Sequence, residues 1–170
     1  NGEAAKVLGV ESLRAVAGRE VTGDVLEVAI GTGLQSSFYD WMTIKSLTGI
    51  DESQEMLAEA NTRLKSVAGS SHISLQPMDA TMMSFADNSF DSAIDTFSLC
   101  VINEPEKAIM EMRRVTKPGA SIVLLENGRS SSNKLIGNFQ DLTEPLITAS
   151  SKGKCRWNTD VSAIAAKSRI

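Results

Sequence analysis

The strongest constraint on this chain lies in residues 25–33, Val-Leu-Glu-Val-Ala-Ile-Gly-Thr-Gly, read with Asp51 in Leu-Thr-Gly-Ile-Asp, 18 positions after Gly33. A nearly continuous apolar run ends in a glycine turn, and a later apolar run ends in a carboxylate. A strand buried on both faces shows little polar alternation, so the first run predicts an inner strand of a parallel sheet. Gly31 and Gly33 lack a Cβ, which lets the backbone turn sharply and approach a ligand. Asp51, at the tip of the next strand, is placed to accept hydrogen bonds from two ribose hydroxyls, as in doubly wound sheets that hold an adenosine-bearing cofactor. Taken singly, the turn also fits a plain strand–helix connection and Asp51 a helix N-cap. Their spacing favours the ligand.

The rest of the chain reads as alternating strands and helices. Residues 3–17 predict a helix with Val7, Leu8, Leu13 and Val16 as a loose apolar face and Gly18 as its stop. Strand 1 is Val25–Ile30, followed by the turn and a short helix over Leu34–Trp41. Strand 2 is Ser46–Ile50; Ser53 caps a helix carrying Met56, Leu57, Ala60, Leu64 and Val67 at helical spacing, which Gly69 ends. Strands 3 and 4 are His72–Gln76 and Phe90–Phe97. Pro105 suits the first turn of a helix with Ala108, Ile109, Met112 and Val115 as its buried stripe. Lys117-Pro118-Gly119 breaks that helix before strand 5, Ala120–Leu125. Lys134–Leu146 contains a helix broken by Pro145, and Val161, Ile164 and Ala165 mark a last short one. This order predicts an α/β fold, a doubly wound, mostly parallel sheet with right-handed crossovers.

Length and charge narrow the classes. The 170 residues suit a single domain, and 42% apolar content supplies an ordinary core. A net charge of −4, with no basic stripe, argues against binding DNA through phosphate neutralisation. No apolar run approaches the roughly 20 residues of a membrane-spanning helix. Cys100 and Cys155 lack metal-ligand or C-x-x-C spacing, so no metal site is expected. His72 opens strand 3, at the end of the sheet away from the turn, so no Ser/His/Asp or Cys/His arrangement can be built near the glycines.

Several residues around the turn invite a role. Glu27 is a carboxylate inside an apolar strand, which is costly unless it is bonded; it either ties down the turn or acts on a cofactor amine through water. Asp79-Ala80 follows strand 3, where a carboxylate accepts from an exocyclic amine and a small residue leaves room for a flat ring; a solvated turn is the plain alternative. Phe97-Ser98 and Glu126-Asn127 end strands 4 and 5 at the rim. By periodicity Met56 belongs to the core. A nicotinamide dehydrogenase fits less well, since Ser36 stands where the third glycine or alanine of the dinucleotide turn belongs.

Glu27-x-Ala29-x-Gly31-x-Gly33, Asp51, Met78-Asp79-Ala80, Phe85-x-Asp87-x-Ser89-Phe90-Asp91 and Val115-x-Lys117-Pro118-Gly119 stand in the order and spacing of a known family. Over residues 20–128 the chain resembles class I S-adenosylmethionine-dependent methyltransferases, type 11, the ubiquinone/menaquinone-biosynthesis-like group. A narrower likeness, through Leu124–Arg129 and Cys155-Arg-Trp-Asn-x-Asp160, is to mitochondrial methyltransferase-like proteins related to respiratory oxidase assembly. The resemblance implies S-adenosylmethionine as cofactor, methyl transfer to an acceptor (small molecule, protein or RNA), and a binding set of Glu27, Ala29, Gly31, Gly33, Asp51, Glu52, Met56, Asp79, Ala80, Phe97 and Ser98. Within it Glu27 organises the turn, Gly31 and Gly33 underlie the methionine part, Asp51 takes the ribose, Asp79 and Ala80 the adenine, and Phe97 and Ser98 flank the methyl group. The narrower likeness implies a mitochondrial location and a place in a large assembly complex, with a cytoplasmic location the default without it. Ala29 replaces the family's first glycine, and Asn127 stands where the narrower group carries His. No strand pair is evident after strand 5, so a single 1–170 domain is expected, with a 20–128 cofactor-binding core and an incomplete substrate side over 129–170. These departures motivate the alternative of a methyltransferase-fold assembly factor without turnover.

Overall fold

The computed structural model describes residues 9–68, 72–128, 138, 141–143, 145 and 160–167. Its strands are β1 (Gly23–Val28), β2 (Ile44–Asp51), β3 (His72–Pro77), β4 (Phe90–Thr96) and β5 (Thr116–Leu125). Its helices are α1 (Val10–Arg19), α2 (Gln54–Leu64), α3 (Pro105–Val115) and α4 (Val161–Lys167), with a short 3-10 segment over Leu34–Phe38. The sheet runs β3-β2-β1-β4-β5, and every neighbouring pair is parallel. The chain winds outward from β1 to β3, then returns to the other side of β1 for β4 and β5. That reversal opens a crevice at the carboxyl ends of β1 and β4, the place where sheets of this kind bind ligands.

Alternation along β1 divides the core between two faces. Val25 packs with Leu47, Ile94, Leu57 and Leu64 on the side of α1 and α2. Leu26 and Val28 pack with Ile50, Ala93, Met112 and Val115 on the side of α3. The stripe expected on α3 is fully buried, and Pro105 opens that helix, where its missing N–H costs nothing. At the far end of α3, Arg114 donates to the carbonyls of Met83 and Phe85 at 2.8 and 2.7 Å and to Asp87 at 2.8 Å. This clamp fixes the loop that follows Asp79 and Ala80.

Some expectations fail for identifiable reasons. The apolar face expected on the first helix is not its buried face: Leu13 and Val16 are 51% and 57% exposed, and α1 buries Ala17 and Gly18 instead. Gly18 does not stop the helix. A Cβ there would lie 2.3 Å from the Phe38 carbonyl oxygen, so its small size lets α1 press against the 3-10 segment. The helix expected over Leu34–Trp41 is only that five-residue 3-10 segment. β5 begins at Thr116 rather than Ala120; the register advances from Phe90↔Thr116 to Ser92↔Ser121, so Pro118 and Gly119 form a bulge inside the strand and not a break before it. Residues 138, 141–143 and 145 are helical, and the residues on either side of Pro145, where the interruption was expected, lie outside the described residues. Residues 3–8 of the first helix, Gly69, Arg129, and Cys155, Arg156, Trp157 and Asn158 of the last motif lie outside the described residues.

Candidate functional site

The glycine turn is held from the neighbouring strand. The Ile30 amide donates to the Ile50 carbonyl at 2.9 Å, and the Gly33 amide to the Ile30 carbonyl at 3.0 Å. Asp51 spans the gap: Oδ2 accepts the Gly31 amide and Oδ1 the Ser53 amide, both at 2.9 Å. Ser53 is the N-cap of α2, its side chain accepting the Met56 amide at 3.2 Å. Asp51 is therefore not the cap. Each carboxylate oxygen carries two acceptor sites and spends one on the backbone, leaving one per oxygen for a ligand.

The two glycines do different work. Both have positive φ, 55° at Gly31 and 73° at Gly33. A Cβ on Gly31 would meet only the Ala29 carbonyl oxygen at 3.9 Å, whereas one on Gly33 would meet Ala60 Cα at 3.2 Å. Gly31 borders open space, and Gly33 lets α2 pack against the turn.

Two hollows meet at this point. The larger, about 1120 Å³, extends from Ala29, Gly31 and Asp51 past Met56 to Arg14, Phe97 and Ser98. The smaller, about 240 Å³, lies between Met78, Asp79 and Ala80 on one side and Val101 and Ile102 on the other. Ala29, Asp51 and Glu52 border both. Met56 is 43% exposed and lines the large hollow, which corrects its assignment to the core by periodicity. Asp79 accepts the amide and hydroxyl of Thr81 at 2.7 and 2.8 Å, and these bonds hold its carboxyl below the usual range.

Glu27 and Gly33 border neither hollow. The Glu27 carboxyl, 1% exposed, accepts the Tyr39 hydroxyl at 2.7 Å, twelve residues along the chain. No turn amide reaches it; that tie belongs to Asp51. Burial pushes Glu27 up to about 7, against the opposing pull of the Tyr39 hydroxyl and the Arg14 charge.

Beyond β4 the chain turns through Phe97, whose φ is 61°. Arg14 stands over its ring, 4.9 Å from the centroid, and donates to Gln35 Oε1 at 3.1 Å and Thr96 Oγ1 at 3.2 Å. No carboxylate forms an ion pair with Arg14 among the described residues, although Arg14 lines the large hollow. Ser98 lines the same hollow but turns its polar groups inward: its hydroxyl donates to Asp95 Oδ1 and its amide to Glu126 Oε1 at 2.7 Å. Burial pushes the Asp95 carboxyl well above its ordinary range, reinforced by the neighbouring Glu126 charge. Asn127 is exposed and borders neither hollow.

Ala29, Gly31, Asp51, Glu52, Met56, Phe97 and Ser98 thus surround one cavity, with Asp79 and Ala80 in the adjoining one. Arg14, Tyr39 and Asp95 were missed. Asp95 carried the same signal as Glu27, a carboxylate in an apolar strand. Arg14 carried none, since its position depends on how α1 docks.

Comparison with known proteins agrees with this architecture. A family model described as a methyltransferase domain matches residues 26–124, more than half the chain. The chain belongs to that family, type 11 of the class I S-adenosylmethionine-dependent methyltransferases. A demethylmenaquinone methyltransferase of Renibacterium salmoninarum is 39% identical over 144 residues, covering 82% of this chain and 53% of that protein. The mitochondrial methyltransferase OMS1 of Saccharomyces cerevisiae is 28% identical over 160 residues, 84% of this chain and 33% of the yeast protein. The chain spans about half the length of the bacterial relatives it matches. Among solved structures, the [4+2]-cyclase SpnF superposes with a TM-score of 0.73 at 23% identity, over 95% of this chain and 56% of the cyclase. That likeness shows the fold alone, on which more than one chemistry is built.

Proposed function

We propose that this chain binds S-adenosylmethionine across the β1–β2–β4 crevice and transfers its methyl group to an acceptor in the large hollow. The observation that carries the reading is the Asp51 carboxylate, fixed between the Gly31 and Ser53 amides where the two hollows join. Its two free acceptor sites suit a vicinal diol. On either side lie a slot beside Ala80 that suits a flat ring, and a larger space in which the Arg14 guanidinium suits a carboxylate. The residues present therefore fit the cofactor. Glu52, Met56 and Phe97 complete the wall around it, while Glu27 and Gly33 act behind it by holding the turn's surroundings.

When bound, the cofactor supplies a methyl group on a sulfonium, itself a good leaving group, so placement of the acceptor in line carries much of the catalysis. Leu34, Val101 and Ile164 contribute apolar side chains to a wall that Gln35, Thr96 and Asn103 also line, a mixed surface that suits a ring carrying both apolar and polar groups, such as a quinol. The bacterial relative named as a demethylmenaquinone methyltransferase supports that choice. A mitochondrial location is proposed from the yeast relative. No helix among the described residues is long and apolar enough to cross a membrane. Residues 1–170 are taken as one unit whose cofactor-binding core is 20–128.

Calorimetric titration with S-adenosylhomocysteine tests the assignment. Asp51→Ala is expected to weaken binding by about 1–3 kcal/mol, the loss of charged hydrogen bonds. Full-strength binding by the variant removes the ribose site from Asp51.

A further inference from the structure

Directly behind the Phe97 turn, two carboxyls meet. Asp95 lies at the end of β4 with no exposed surface, and Glu126 immediately follows β5. Glu126 Oε1 accepts two consecutive amides, Ser98 at 2.7 Å and Leu99 at 3.2 Å. Asp95 Oδ1 accepts the Ser98 hydroxyl. The other oxygen of each, Asp95 Oδ2 and Glu126 Oε2, is buried and has no donor among the described residues. Ser98 bonds to both carboxyls, to Asp95 through its hydroxyl and to Glu126 through its amide, which sets them side by side, and the Glu126 charge helps to push Asp95 up. Two bare carboxylate oxygens do not sit together in a buried site without a proton or a cation between them.

We propose that Asp95 and Glu126 share one proton, and that this acid–carboxylate pair is the positioning device that holds the Phe97–Leu99 turn against the cofactor cleft. The proton bridges Oδ2 and Oε2, and the pair carries a single negative charge. That charge is spent on the Ser98 and Leu99 amides, which lock the turn that places the left-handed Phe97 under Arg14. The charged groups bearing on Asp95 are Glu126 beyond β5 and Glu27 on β1, both of which disfavour a second charge; Arg14 of α1 bonds the adjacent Thr96. Loss of the proton at alkaline pH sets two like charges in contact, drives Glu126 off the amides and frees the turn. The pair's effect on ligand affinity rests on the function proposed above; its existence does not.

Infrared difference spectra of the ligand-free protein test the pair by itself. Wild type minus Asp95→Asn at neutral pH should show one carboxylic-acid C=O stretch that shifts in deuterium oxide. Its absence overturns the proposal. The pH profile of S-adenosylhomocysteine binding tests the positioning. Wild-type affinity should fall at alkaline pH with a slope approaching about tenfold per unit, the signature of one linked proton. Asp95→Asn should bind normally and show no such fall, because its amide donates permanently to Glu126 Oε2. Glu126→Gln preserves the same bonds in the reverse sense and gives the same flat profile if the first variant folds poorly. Profiles that match wild type in both variants overturn the proposal. An infrared band in a protein that binds no S-adenosylhomocysteine supports the pair and overturns the proposed function.

Discussion

Ala29 holds a φ of 47° just before two glycines that hold 55° and 73°. A Cβ in the left-handed region costs roughly 1–2 kcal/mol, partly offset by the greater freedom of glycine in the unfolded chain. Ala29→Gly is expected to raise the unfolding free energy by ~0.5–1 kcal/mol in urea; a fall would contradict strain at this position. Glu27 gives a second test. Its pKa rises from an ordinary 4.5 to about 7 in the fold because it is buried. The folded state thus keeps a proton that the unfolded chain releases, so this contribution is fully present below about pH 4.5 and is lost as pH climbs to about 7. The shift corresponds to about 3 kcal/mol. Glu27→Gln keeps an acceptor for Tyr39 and removes the ionisation. The stability of the variant minus that of wild type should therefore grow by up to that amount between those limits, whereas a difference independent of pH would refute a protonated Glu27. Asp95 contributes with the same sign in both proteins and cancels from the comparison. Residues of this kind were unevenly legible. Glu27 announced itself by interrupting an apolar strand, yet its partner, Tyr39, is set by how the 3-10 segment folds back over β1.

At the level of elements, β1, β2 and α3 were readable because each presents one dominant pattern: a doubly buried run, a run closed by Asp51, and a stripe repeating at helical spacing. α1 was misread because its docking depends on smallness instead of apolarity. Ala17 and Gly18 make the contact and leave Leu13 and Val16 outside. Gly18→Ala gains about 1 kcal/mol of intrinsic helix propensity, but its new Cβ collides with the Phe38 carbonyl. Since overpacking costs about 1–3 kcal/mol and the colliding atom is backbone, the variant should melt below wild type, and its Arg14 should be displaced from Phe97. An unchanged or higher melting temperature would show that α1 does not need this close approach. The start of β5 was misplaced for a related reason. Pro118 and Gly119 read as a break, but an edge strand accommodates them as a bulge.

For the molecule as a whole, the strand order β3-β2-β1-β4-β5 turns scattered motifs into one site. Asp51 and the glycine turn meet because β1 and β2 pair in register, Val28 against Ile50. Phe97 joins them because β4 pairs with β1 on the other side. Spacing in the sequence was enough to bring the first pair together; the volume of the cleft, the docking of Arg14 and the meeting of Asp95 and Glu126 at Ser98 arise only when α1, β4 and β5 close around it. Amide hydrogen exchange with and without S-adenosylhomocysteine tests the central claim, that the crevice at the carboxyl ends of these strands grips a nucleoside. The account predicts slowed exchange at Gly31 and Ser53, with a second patch at Asp79–Thr81. Protection confined to the opposite, amino end of the strands, around Thr43–Ser46, or none at saturating ligand, would contradict it.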